Sequence, residues 1–97
     1  MKHVEISAYG IVQGVGFRPF VHRLAKQCAL SGSVCNSGSG ALIYVQGEEE
    51  DISGFLKRLE EEAPPLCRIE TLECRELPCV QMSGFQILES SAGERNT

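Results

Sequence analysis

Apolar and polar residues alternate through positions 3–12: Val4, Ile6, Ala8 and Val12 share one side, and His3, Glu5, Ser7 and Tyr9 take the other. A period of two predicts a half-buried strand. His3 is expected on its wet side, as a surface residue of an edge strand. Gly10 interrupts the run and marks either a bulge or a close approach of another backbone. Beyond the glycines at 14 and 16 the period changes. Phe20, Val21, Leu24, Ala25 and Cys28 recur at helical spacing, with His22, Arg23, Lys26 and Gln27 on the opposite, solvated face. The helix is expected to begin at Pro19, because a first turn tolerates the missing N–H. Gly32 is its expected stop.

Residues 33–36 and 41–46 form two further strand-like runs, joined across Ser37-Gly38-Ser39-Gly40 as a hairpin. In the second run Ala41, Ile43 and Val45 fall on one side. Glu48, Glu49, Glu50 and Asp51 then open a second helix, where acidic side chains suit the positive end of the helix dipole. Its buried stripe is Ile52, Phe55, Leu56 and Leu59, and Pro64-Pro65 ends it. A strand is predicted over 67–76. There Ile69 and Leu72 lie on opposite faces of a regular strand, which calls for a bulge or for burial on both sides. Residues 77–83 are loop, 85–87 a short last strand, and the polar stretch from 90 onwards a frayed tail.

The resulting order is β-α-β-β-α-β with a short terminal strand. It predicts an α+β domain of the ferredoxin-like type, a mostly antiparallel sheet with both helices on one face. The domain is expected to span residues 1–90, with 91–97 as a tail or linker. A chain of 97 residues has room for one modest core. A formal net charge of −4 argues against a general nucleic-acid binder but leaves room for a local positive pocket. No apolar run approaches the ~20 residues of a membrane span, and the early acidic residue leaves no signal-peptide core. A cytoplasmic protein is expected. Five cysteines without a C-x-x-C pair, and without a histidine at zinc-finger spacing, suit reduced thiols packed as small hydrophobes. Cys79, in a loop-like stretch, is expected to be exposed.

Candidate chemistry gathers at Gln13-Gly14-Val15-Gly16-Phe17-Arg18. A strand, a Gly-rich turn and a helix N-terminus can converge backbone N–H groups on one anion, with the helix dipole behind them. Arg18 adds a planar, always-charged fork for phosphate oxygens. The loop lacks the lysine of a Walker A motif and the third glycine of a Rossmann fingerprint. A tight turn beside a surface arginine remains the competing account. Asn36 sits just before the hairpin turn, where asparagine is a common turn former; alternatively, its amide orients a water.

The stretch from Gly10 to Arg18 resembles the phosphate-binding signature of the acylphosphatase family. Ser33-Val34-Cys35-Asn36-Ser37-Gly38-Ser39-Gly40 resembles the strand and turn that carry that family's catalytic asparagine. Gly16, the run from Phe17 to Ala25 and Ala63-Pro64-Pro65-Leu66-Cys67-Arg68-Ile69-Glu70 resemble more closely the N-terminal acylphosphatase-like domain of the carbamoyltransferases that mature nickel–iron hydrogenases. The resemblance implies hydrolysis of carbamoyl phosphate, or of another acyl phosphate. Arg18 and Asn36 would be catalytic, and Gln13, Gly14, Val15, Gly16, Phe17 and Arg18 would bind substrate. It implies no metal and no cofactor. The partners it implies are the downstream domains of a longer protein and that protein's hydrogenase-maturation partner, with neither nucleic acid nor membrane. A free-standing acylphosphatase and a non-catalytic anion-binding module of the same fold stand as alternatives.

Overall fold

The computed structural model describes residues 1–88. Seven elements follow one another: β1 (Lys2–Ile11), α1 (Phe17–Gln27), β2 (Ser31–Ser37), β3 (Gly40–Gly47), α2 (Glu49–Glu61), β4 (Arg68–Leu77) and β5 (Phe85–Ile87). The strands form one sheet in the order β4-β1-β3-β2-β5. All neighbours are antiparallel except β2 and β5, which run parallel. This is the ferredoxin-like α+β fold that the element order predicts. The stretch predicted as a frayed tail lies outside the described residues.

One core holds the fold together. Val4, Ile6 and Ala8 of β1, Val34 of β2 and Ala41, Ile43 and Val45 of β3 turn to the same side. There they meet Phe17, Phe20, Val21, Leu24 and Ala25 of α1 and Ile52, Phe55 and Leu59 of α2. Each element contributes the apolar stripe visible in its sequence.

The β1–β4 ladder shifts register at Gly10. Tyr9 pairs with Thr71 and Gly10 with Ile69, so Glu70 is the extra residue of a bulge. The bulge resolves the parity problem in β4: Leu72 pairs with Ala8 and Ile69 with Gly10, and both pack against the core.

Three expectations are corrected. β1 is an inner strand, flanked by β4 and β3, so His3 is not at an edge. The residue is 7% exposed, covered by the 78–80 segment, and its Nδ1 lies 2.9 Å from the Pro78 carbonyl oxygen. Helix α1 begins at Phe17, two residues before Pro19, with Gly16 as N-cap; Pro19 stays within the first turn. The helix ends at Cys28 and Ala29, before Gly32. Ala29 takes a left-handed φ of 58°. The Leu30 N–H donates to Ala25 O at 2.9 Å and the Ala29 N–H to Lys26 O at 3.2 Å, a Schellman closure built on alanine. Gly32 instead belongs to β2, where a Cβ would stand 1.8 Å from Tyr44 O.

Candidate active site

The loop between β1 and α1 is shaped by two glycines. Gly14 and Gly16 have φ of 74° and 81°, a region that side-chain-bearing residues enter at a cost. A Cβ on either would meet nothing within 4 Å, so the requirement is conformational rather than steric. Between and beyond them, Val15 packs against the core and Phe17 is fully buried within it. These two side chains hold the loop from beneath.

Among the described residues, none of the N–H groups of residues 14–18 reaches an acceptor. The first turn of a helix has no intrahelical partners for its donors. Gly16 supplies no side-chain cap, and α1 has no acidic residue in its first turn. Helix α2 is the internal contrast: Glu49, Glu50 and Asp51 fill its first turn. At α1 that place holds Arg18, a cation set against the positive end of a dipole. Arg18 is half-buried and forms no ion pair among the described residues. Open donors, an uncapped helix end and an unneutralised guanidinium concentrate positive potential in a protein of net charge −4.

Asn36 reaches this end of the molecule through strand register. It pairs with Ala41 on β3, and Ala41 pairs with Ala8 on β1, so the three share the helix-side face of the sheet. Asn36 is half-buried, with its side-chain oxygen enclosed. Gln13 ties the two regions together: its Nε2 donates to Gly38 O at 2.7 Å and to Gly40 O at 2.9 Å. The structure thus joins the Gln13 end of the loop to the hairpin turn that follows Asn36. It places the Gln13 side chain on the hairpin turn, a contact that its sequence context as a loop residue did not suggest.

The remaining titratable groups lie elsewhere. His22 is half-buried, with its ring 6.1 Å from that of Phe85 in an edge-on arrangement, more enclosed than the surface position expected. Tyr44 donates to Glu5 Oε2 at 2.9 Å, and Arg75 pairs with Glu5 at 2.8 Å, on the sheet face away from the helices. Burial, reinforced by that hydrogen bond to Glu5, pushes the Tyr44 hydroxyl above its ordinary pKa. A cavity of about 430 Å³ on that face is lined by His3, Ser33, Tyr44, Met82 and Gln86, among others; no residue of 13–18 borders it, nor does Asn36. Cys35 is buried, Cys28 and Cys67 are half-buried, Cys74 and Cys79 are exposed, and all five are free thiols. Among the described residues no cluster of three or more His, Cys, Asp or Glu could hold a metal. Nor is any helix there long and apolar enough to cross a membrane.

The acylphosphatase family model matches residues 4–87, from β1 to the end of β5. The chain belongs to the acylphosphatase family. It is 44% identical over 88 residues to the probable carbamoyltransferase HypF of Methanocaldococcus jannaschii, covering 90% of this chain and 12% of that protein. It is 37% identical over 78 residues to the acylphosphatase of Oceanobacillus iheyensis, covering 79% of this chain and 86% of that one. Among solved structures, full-length HypF in its phosphate- and nucleotide-bound form superposes with a TM-score of 0.88 at 39% identity, over 93% of this chain and 12% of HypF. The acylphosphatase of Bacillus subtilis superposes with a TM-score of 0.85 at 28% identity, over 91% of this chain and 99% of that one. The chain therefore spans about one-eighth of the HypF relatives and nearly all of a free acylphosphatase.

Proposed function

We propose that this chain is a hydrolytic domain that cleaves carbamoyl phosphate, acting within a longer carbamoyltransferase of the HypF kind. The observation that carries the hydrolase reading is the row of open N–H groups at 14–18 beside Arg18. Hydrogen-bond donors fixed in place before the substrate arrives stabilise charge on phosphoryl oxygens without reorganising.

In this mechanism the N–H groups of Val15, Gly16, Phe17 and Arg18 and the Arg18 guanidinium hold the phosphoryl group. The Asn36 amide orients a water in line with the bond to the acyl oxygen. The water oxygen forms a bond to phosphorus as the bond between phosphorus and the acyl oxygen breaks. The leaving group departs as carbamate. A phosphoryl oxygen of the substrate takes the water's proton, a role for which neither histidine is placed: His3 lies on the far face of the sheet and His22 against Phe85. No residue of this chain needs to change charge during the step.

The preference for carbamoyl phosphate is supported by the likeness to HypF over 90% or more of this chain. In a longer protein the carbamate would pass to a downstream domain. The test compares phosphate release from carbamoyl phosphate and from benzoyl phosphate, each corrected for spontaneous hydrolysis. A higher kcat/KM for carbamoyl phosphate supports the proposal. A preference for benzoyl phosphate marks a general acylphosphatase, and phosphate binding without turnover of either marks an anion-binding module.

A further inference from the structure

The Gln13 side chain turns away from the loop that carries it. It begins in the loop yet ends on the hairpin turn 25 and 27 residues further along the chain. Both acceptors are carbonyl oxygens, which cannot donate. The amide NH₂ must therefore face them, since the opposite amide orientation would set oxygen against two oxygens. A carboxamide has two N–H bonds, and both are used. What remains is Oε1, an acceptor, which repels a phosphoryl oxygen. The side chain is thus unsuited to binding substrate, the role that sequence resemblance gives it.

The turn it holds is the one that carries Asn36. Ser37 pairs with Gly40 at the mouth of the hairpin, and Asn36 is the next residue down β2. The turn also leans on β1, since a Cβ at Gly40 would stand 2.4 Å from Ala8 O. Beyond Ser37 the strand pairing ends, and Gly38 adopts a left-handed φ of 59°. The clamp from Gln13 acts at this point, on Gly38 within the turn and on Gly40 in the last pair of the ladder.

We propose that Gln13 is a positioning residue: its amide locks the β2–β3 turn to the phosphate loop, so that Asn36 and Arg18 address the same phosphoryl group. The proposal rests on the hydrolase reading above. Water placement tolerates little slack, and a displacement of about 1 Å in an oriented group can lower rates by ~10²-fold. Phosphate holding depends on the loop itself and should tolerate loss of the clamp.

The test uses Gln13→Met, which keeps the length and neutrality of the side chain but removes both donors, and Gln13→Ala. Gln13 is exposed, so neither variant should unfold the domain. The readouts are the Kd of inorganic phosphate, the kcat and KM for benzoyl phosphate, the side-chain amide resonances of Asn36 and amide exchange at residues 38–40. Positioning requires a roughly ten- to hundredfold fall in kcat, with KM and phosphate Kd within about threefold of the parent. It also requires shifted Asn36 resonances and faster amide exchange at residues 38–40. A tenfold or greater weakening of phosphate binding would instead make Gln13 a substrate contact, and unchanged kcat with unchanged Asn36 resonances would also overturn the proposal. If the parent chain turns over no acyl phosphate, the hydrolase reading fails. The clamp is then judged on the resonances and exchange alone: if both are unaltered by Gln13→Met, it fails too.

Discussion

Gly10 and Arg68 face each other across the β1–β4 bulge so closely that a Cβ on Gly10 would stand 2.2 Å from the Arg68 carbonyl oxygen. Gly10 also has a φ of 133°, which L side chains rarely adopt. Gly10 sits three residues before Gln13, so strand β1 enters the Gln13–Arg18 loop through this bend. Gly10→Ala should lower stability by more than ~1 kcal/mol and weaken phosphate binding together with it. Urea unfolding and phosphate titration of the variant check this. A fully stable variant would mean that the bulge is not constrained by backbone contact.

Ala29 caps α1 in a conformation for which glycine is better suited. An alanine at positive φ carries a strain of roughly 1–2 kcal/mol, partly offset by the greater chain entropy that glycine loses on folding. Ala29→Gly should therefore raise stability by up to about 1 kcal/mol and leave phosphate affinity unchanged. A lower denaturation midpoint would contradict the Schellman closure described here.

Tyr44 links stability to alkaline pH. Its folded pKa lies above the ordinary value of 10.0, chiefly through burial and then through its hydrogen bond to Glu5. The folded state holds the phenolic proton more tightly than the unfolded state. The associated stability is fully present below pH 10 and is lost as the pH rises through the folded pKa. Tyr44→Phe should flatten this alkaline loss in denaturation curves collected from pH 8 to 11. An equally steep loss in the variant would assign it to other groups.

Much of the architecture was legible because each element carries its own period. The alternation in β1 and the stripes in α1 and α2 named most of the buried residues, because one face of each element must leave water; Cys28 and Leu56 are only half-buried, and the buried Phe17 lay outside the predicted stripe. What escaped is what depends on neighbours in space. His3 lies on the polar side of its strand's alternation, but no local pattern shows that β4 flanks β1 or that residues 78–80 fold over that face. Gly32 looked like a helix stop because glycine serves both as a cap and as a point of close strand approach; the Tyr44 carbonyl, twelve residues away, decides between them. In the candidate site, the two glycines and Arg18 suggested an anion cradle on local grounds, with a tight turn beside a surface arginine as the rival account. The Gln13 clamp to Gly38 and Gly40 has no local signature, since a glutamine beside a turn is ordinary until the partner carbonyls are placed.

Arg18 and Asn36 carry the central claim, because they are assigned different tasks on one substrate. The most direct measurement is steady-state hydrolysis of carbamoyl phosphate by the parent chain, Arg18→Ala and Asn36→Ala, with inorganic phosphate affinity measured alongside. Arg18→Ala is expected to lose roughly 10²- to 10³-fold in turnover and to bind phosphate more weakly. Asn36→Ala is expected to lose most turnover while binding phosphate almost as the parent does. Parent-like turnover in both variants would contradict the account.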